Sequence, residues 1–465
     1  MRKHDCLKAV CLFGLLALYG CGGDSGSVSA AGGGTQSVTI PPQNNAVSPV
    51  VLTPPAVNDA QLRAAMQQAG VQAVPSPPAP VQARFVLGQM LVFDKILSGN
   101  KDVACASCHQ TGQSLGDGLS VALGTGAVGS GVNRTLGAGR HFIARNAPSL
   151  FNLGGVSPLM WDGRISLQAS PAGATLPAGL DSSLAAQALF PLLNRDEMRG
   201  AAGDTASDGS PNELALVSDT DFNGAWNAVM QRVLAIPDYV TRFQDAFPGV
   251  NQFGIQHLGN AIATFEANQW SRLNSPFDNY VRGDNNALSE AQKRGALVFY
   301  GGGRCAVCHR GGLLSDLQFH NVAFPQVGPG NGSEAPLDFG RGSITGLNQD
   351  RFRFRTPTLR NVAVTGPWSH SGGYTSLEAV VRHYINPGQA LRNYNPNQLA
   401  PQFRSQVHVA DTLAAGVLNN LDNQVPIPLN NQEVADLLAF LESLTDPNAV
   451  PGPPVSVPSG LPVTF

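Results

Sequence analysis

Two short stretches hold the residues best suited to chemistry: Cys105-Ala106-Ser107-Cys108-His109 and Cys305-Ala306-Val307-Cys308-His309. Both read C-x-x-C-H, the attachment signature of a c-type haem. The chemistry explains the spacing. Two thiols reach the two vinyl groups of one porphyrin as thioethers, and the adjacent His comes under the iron as its proximal ligand. Two other readings use the same residues: paired redox dithiols, or a zinc site. A zinc site needs four ligands drawn together from both ends of the chain, and a dithiol does not need the trailing His twice. Two covalently bound haem c groups are therefore the expected cofactors. Cys105, Cys108, Cys305 and Cys308 would hold them, and His109 and His309 would ligate iron.

Cysteine usage agrees. Of 7 Cys, Cys6, Cys11 and Cys21 lie near the N-terminus, so the four motif thiols leave no pair for a disulfide. Residues 1–20 read as an export signal: Arg2, Lys3 and Lys8 precede the apolar run Ala9 to Tyr19, which is too short to span a bilayer. Leu18-Tyr19-Gly20-Cys21 resembles a lipoprotein cleavage box with an atypical Tyr19. Either Cys21 carries a lipid anchor or an ordinary signal is cut nearby. In both cases the periplasm or cell envelope is the expected location. A net charge of −3, with 13% charged residues and no charge run, gives no sign of a nucleic-acid partner.

The elements that must position these motifs read as mainly α: two cytochrome c-like domains with long loops, as 52 Gly and 34 Pro require. Residues 21–80 read as a disordered tether with a helical possibility at Asp59 to Ala69. The first domain is expected over 81–275, the second over 276–446, and a Pro-rich surface tail over 447–465. Phe85, Leu87, Leu91 and Val92 form an apolar face before the first motif. Before the second, Ser289 and Gln292 form a capping box followed by Leu297, Val298 and Phe299. Gly88 and Gly295 occupy matching places in these two runs, a weak internal repeat. Further helices are expected at Ala225 to Leu234, Gln256 to Asn268 and Gln432 to Leu444. Arg351-Phe352-Arg353-Phe354-Arg355 alternates strictly and predicts an extended segment, its arginines set against haem propionates or carboxylates rather than forming a basic patch.

Between and after the haem motifs come Arg145-Asn146-Ala147-Pro148-Ser149-Leu150-Phe151-Asn152, Trp161-Asp162-Gly163-Arg164, Gln187…Pro191…Glu197-Met198, and Leu359-Arg360-Asn361…Thr365-Gly366-Pro367…His370-Ser371-Gly372. On these motifs, in this order, the chain from about Arg84 to Leu444 resembles the bacterial di-haem cytochrome c peroxidases, including the MauG group. The resemblance implies one job per haem. The N-terminal haem would be the peroxide site, and the C-terminal haem would receive electrons from a small c-type cytochrome or cupredoxin. Trp161 matches the aromatic residue that relays charge between the haems. Glu197 matches the distal acid–base, and Gln187 the amide that orients bound oxygen. Asn146, Thr365 and Pro367 match positions that hold a calcium ion, and a homodimer stays open.

Two positions bear on the branch. His141 is the candidate for the His that caps the resting peroxide haem in the main branch, but its spacing to Arg145 is short. A loop His, or a distal residue that never binds iron, remains open. On the second helix, Thr375 and Glu378 read as a capping box, and Leu377, Val380, Val381 and Tyr384 fall on one face. Tyr384 thus points inward and His383 about a hundred degrees away. The main branch has Met where Tyr384 aligns, and the MauG group has Tyr. No Met follows Met230 here. A phenolate ligand favours Fe(III); a plain core aromatic is the other reading of Tyr384. His257, His320 and His408 lack partner motifs and read as structural or exposed. The expected function is reduction of hydrogen peroxide. The alternatives are MauG-like oxidation of a bound substrate at a distance, and a non-catalytic electron carrier.

Overall fold

The computed structural model describes residues 56–170 and 174–465. The export signal expected over 1–20, the anchor candidate Cys21 and the first part of the expected tether lie outside the described residues. Helices dominate: α1 (Asp59–Gln68), α2 (Gln82–Phe93), α3 (Phe222–Leu234), α4 (Pro237–Ala246), α5 (Ile255–Gln269), α6 (Glu290–Tyr300), α7 (Leu377–Ile385) and α8 (Asn431–Glu442). Long loops with short helical turns join them. Strand β1 (Phe319–His320) pairs antiparallel with β2 (Phe354–Arg355), setting His320 opposite Phe354.

Among the described residues, two apolar cores are the largest. Leu91, Trp226, Phe243 and Phe265 bring α2, α3, α4 and α5 together in the first. Phe299, Val381, Leu437 and Phe440 do the same for α6, α7 and α8 in the second. Each such side chain contributes about 1.5–3 kcal/mol by leaving water.

The two cores are built alike, and more deeply than the matching glycines suggested. A Cβ on Gly88 would lie 2.0 Å from Ala261 O on α5, and one on Gly295 would lie 1.9 Å from Asp436 O on α8. Each glycine lets the helix that leads into a Cys motif touch the backbone of a later helix. The repeat continues in the loops Pro148 to Asn152 and Pro357 to Asn361. Ser149 Oγ donates to Ser114 O at 2.7 Å, and Thr358 Oγ1 donates to Leu313 O at 2.6 Å. Asn152 and Asn361 both take the left-handed backbone, at φ 61° and 65°, which Asn tolerates better than most residues. Their N–H groups donate to Trp270 O at 3.2 Å and Leu444 O at 2.9 Å, just past the ends of α5 and α8.

Several local expectations change. The Ser289–Gln292 box does cap α6. Helix α7, however, is capped by Ser376, whose Oγ accepts from Ala379 N at 3.1 Å, and Glu378 pairs instead with Arg382 at 2.7 Å. The segment 351–355 is extended only at its end. Phe352 is buried and turns through φ 61°, which breaks the alternation. Arg351 stacks on Phe339 at 3.9 Å, and Arg353 donates to Gln349 O and Phe319 O. Part of the expected tether is ordered: α1 buries Leu62 and Met66 in the second core, and its Asp59 accepts from Tyr280 OH at 2.7 Å. The Pro-rich tail also departs from a surface strand. Val457 is buried in the first core, Ser459 Oγ donates to Asp94 at 2.6 Å, and Phe465 meets Phe93 at 6.0 Å. Its apolar residues give it a face to bury, which composition alone concealed.

The glycine contacts carry a consequence for stability. Gly88→Ala and Gly295→Ala should each cost about 1–3 kcal/mol, because backbone atoms rather than flexible side chains must give way. Chemical denaturation of the two variants against the parent protein measures this.

Candidate active site

Both Cys motifs lie in short helical turns, Cys105–Cys108 and Cys305–Val307. In each, the His turns Nδ1 onto a carbonyl a few residues on. His109 donates to Leu115 O and His309 to Leu314 O, both at 3.0 Å. A carbonyl only accepts, so Nδ1 carries the proton and Nε2 keeps its lone pair. Burial lowers both imidazole pKa values, that of His309 to about 4. The rings are neutral, as metal ligation requires. Burial also pushes the Cys105 and Cys305 thiols up to about 12 and that of Cys108 to about 11. Such thiols are not the ready thiolates of a redox-dithiol centre.

Both motifs open onto one cavity of about 750 Å³. Trp161 lies in its wall. Trp161 Nε1 donates to Asn146 O at 3.1 Å, and its carbonyl accepts from Arg355 N at 2.7 Å. The next residue, Asp162, is fully buried between Arg145 at 2.6 Å and Arg164 at 2.7 Å. Arg145 continues to Asp338 at 2.5 Å.

Glu197 lines the same cavity from a single π-helical turn, Arg195–Arg199. Asn194 caps that turn: its Oδ1 accepts from Asp196 N and Glu197 N, and its Nδ2 donates to Glu197 Oε1 at 3.2 Å. Single π turns often mark functional sites. Burial raises the Glu197 pKa, against the pull of Arg164. The neighbouring arginines do not neutralise it. Arg195 pairs with Asp219, and Arg199 is buried against Leu214 O, Val217 O and Asp219. Gln187, at the end of the helical turn Ser183–Gln187, lines the cavity as well.

His141 stands at the rim, 76% exposed, with Nδ1 3.3 Å from Asp196 Oδ1. Of the readings open for it, a loop His fits this placement. An axial ligand would need the loop to turn inward. Tyr384 does line the cavity, with Cys305 and Cys308 close enough to add to the burial that raises its phenol pKa. His383 is more deeply buried than expected, and both its nitrogens are used: Nδ1 accepts from Tyr374 OH at 2.8 Å and Nε2 donates to Val322 O at 2.7 Å. Asn146, Thr365 and Pro367 share the cavity wall. Asn146 Nδ2 donates to Leu119 O at 2.8 Å, which leaves Oδ1 for another partner.

Residues 82–286 match the family described as di-haem cytochrome c peroxidase. This match agrees with the resemblance carried by the motifs around the two Cys pentapeptides. It is 29% identical to the methylamine utilization protein MauG of Methylorubrum extorquens, over 82% of this chain and 84% of that protein. It is 28% identical to the cytochrome-c peroxidase IdrP2 of Denitromonas iodatirespirans, over 78% of this chain and 90% of that one. Among solved structures, a MauG-like protein associated with microbial copper homeostasis is 29% identical. It aligns with a TM-score of 0.57, covering 82% of this chain and 95% of that chain. The relatives named cytochrome c peroxidase and MauG are oxidoreductases, and the di-haem family that residues 82–286 match implies two haem c groups.

The residues present fit those groups. Two thiol pairs, each with a neutral His offering Nε2, face one cavity. Arg355 is buried there without a carboxylate partner, and burial lowers its pKa to about 10. A guanidinium so placed calls for an anion such as a propionate. For calcium the fit is thinner: among the described residues, no carboxylate cluster accompanies Asn146, Thr365 and Pro367.

Sequence reasoning missed several groups. Asp338 comes from a loop with no motif. His320, read as structural or exposed, is structural: it is clamped between Asp316 and Asp422, partners the sequence did not point to. Glu266, on α5, is 5% exposed and lines the cavity, and its Oε2 has no partner. Only its place on an apolar helix face signalled it. Burial raises the Glu266 pKa to about 8. The folded protein therefore keeps this proton above the pH at which the unfolded chain, near 4.5, has released it. Stability should fall between those pH values by up to about 1.4 kcal/mol per pH unit. Glu266→Gln should flatten that decline and gain relative stability at pH 8, as denaturation across pH 5–9 will measure.

Proposed function

We propose that this protein reduces hydrogen peroxide to water, drawing electrons from a small c-type cytochrome or cupredoxin. The observation that carries this reading is Glu197, a carboxyl of raised pKa facing the cavity that Gln187 also lines, with its arginine neighbours engaged elsewhere. When bound, the two haems supply the iron centres that cleave the O–O bond and hold electrons. The balance is H2O2 plus two electrons and two protons giving two waters. Glu197 takes the proton from one peroxide oxygen and returns it to the leaving oxygen. Gln187 orients the peroxide through its amide. Trp161, fixed by Asn146 O and Arg355 N, carries charge between the two sites. Asn146, Thr365 and Pro367 would hold a calcium ion, which would brace the Asn146–Trp161 contact. Export to the periplasm, with or without an anchor on Cys21, brings the protein to its donor. A pure electron carrier needs no such acid–base group.

A second reading has its own support. Tyr384 lines the cavity near Cys305 and Cys308, and its hydroxyl has no partner among the described residues. A Tyr ligand would hold the second iron oxidised and favour MauG-like oxidation of a bound substrate at a distance.

Peroxide-dependent oxidation of a reduced small cytochrome c separates these readings. Turnover supports the peroxidase. Absence of turnover, together with peroxide-induced spectral changes at both haems, supports the MauG-like enzyme. If neither haem binds cyanide or peroxide in any redox state, the protein is a carrier. Glu197→Gln should slow peroxide reduction about a hundredfold or more while leaving both haems attached. Tyr384→Phe should shift the near-infrared magnetic circular dichroism of one haem only, and no shift would make Tyr384 a plain core aromatic.

A further inference from the structure

His320 lies between two carboxylates. Its Nδ1 is 2.6 Å from Asp422 Oδ2, and its Nε2 is 3.0 Å from Asp316 Oδ2. Both oxygens accept, so both ring nitrogens must donate, and only the imidazolium has two N–H groups. The arrangement is built into the backbone. Asp316 N donates to Cys308 O at 2.8 Å, Asp422 N donates to Asn321 O at 2.8 Å, and the β1–β2 pairing holds His320 itself. Asp316 is 5% exposed, Asp422 11% and His320 20%. The ligand atoms of His320, Asp316 and Cys308 lie within 4.8 Å of one another, the spacing of a metal site. A thioether to haem uses that sulfur, so the cluster is not free to act as one.

We propose that His320 is a permanent positive charge held against the second haem, where it stabilises the reduced iron and raises its reduction potential. This goes beyond the peroxidase reading and rests only on a haem c attached at Cys305 and Cys308. The step is a one-electron reduction of that iron, and His320 keeps its proton throughout. The charged groups facing it are Asp316 from the loop after the motif, Asp422 from the loop before α8, and Arg353, 3.9 Å from Asp422. The hydrogen bond that His320 donates to Asp316 leads the causes that raise the His320 pKa to about 11. The part contributed by the Cys308 thiol is lost once that sulfur is alkylated, and the two carboxylates remain. Near a low-dielectric porphyrin edge, a unit charge is worth far more than in water. A cation here offsets the lowering that a tyrosinate ligand would cause.

The test uses the haem-loaded protein in a mediated equilibrium redox titration. His320→Gln keeps a hydrogen-bonding side chain and removes the charge. It should shift the reduction equilibrium of the second haem at least about tenfold toward oxidised, about 59 mV for one electron. His320→Lys should recover most of that shift, which a merely structural role would not predict. In the parent protein, nitrogen-15 NMR should find the His320 ring doubly protonated at pH 8. An unchanged potential in His320→Gln, failure of Lys to rescue it, or a neutral ring at pH 8 would overturn the proposal. The NMR result decides it even if the variants fold poorly. None of these measurements depends on turnover, so the proposal and the peroxidase reading can fail separately.

Discussion

The seam between the two cores depends on one buried cation. Arg145 reaches Asp162 with one nitrogen and Asp338 with two others, so residues nearly two hundred positions apart share a single guanidinium. The three are at most 7% exposed, and their mutual attraction raises the Arg145 pKa and lowers that of both carboxylates. Removing one partner from such a group costs about 3–5 kcal/mol, because it strands the others without water. The network also closes a ring. Gln326 Oε1 accepts from Asp338 N at 2.9 Å, Gln326 Nε2 donates to His370 Nε2 at 3.2 Å, and His370 O accepts from Asn146 N at 2.8 Å. Asn146 is the next residue after Arg145, and its carbonyl holds Trp161. The aromatic group between the two Cys motifs is therefore positioned by the same bonds that join the two halves.

Within that frame the halves repeat a local solution and then diverge. Each turns its motif His onto a carbonyl to fix the tautomer, each uses a Pro-Ser/Thr-Leu loop beside it, and each packs a glycine-bearing helix against a later one. What differs is the opposite wall. The first half offers Glu197, a carboxyl of raised pKa, and Gln187, an amide that can only donate or accept hydrogen bonds. The second offers Tyr384 and, beside its attachment point, the His320 cation between two carboxylates. The repeated part would bind the same cofactor twice, and the unrepeated part would make the two copies chemically unequal.

The parts legible in the sequence were those set by local pattern. The two motifs, the α6 capping box and the apolar faces of α2, α5 and α8 all depend on residues a few positions apart. The motifs that carry the resemblance line one cavity. What stayed hidden depends on distant partners. Asp338 and Asp422 lie in loops whose composition says nothing about whom they meet. His320 looked unpartnered because Asp422 is about a hundred positions away. The Arg351 to Arg355 alternation misled, since burial of Phe352 overrode the strand pattern. The His383–Tyr384 contrast was only partly readable, because helical periodicity places a side chain but does not say that Tyr374 and Val322 O await it.

The two ends of the described chain extend the same logic. Helix α1 precedes the first core in sequence but packs on the second. Its Asp59 meets Lys293 at 3.0 Å, and Ala69 O accepts from Gly311 N, just after His309, at 2.9 Å. The tail follows the second core but packs on the first, where Asp94 binds both Ser459 and Tyr239 OH. Each half thus carries a segment that belongs to the other end of the chain. To separate the halves, the protein would have to peel off both segments as well as break the Arg145 ring. Electron transfer across Trp161 would depend steeply on the distance between the two motifs. A fold that ties its seam at three independent places holds that distance by its own covalent chain.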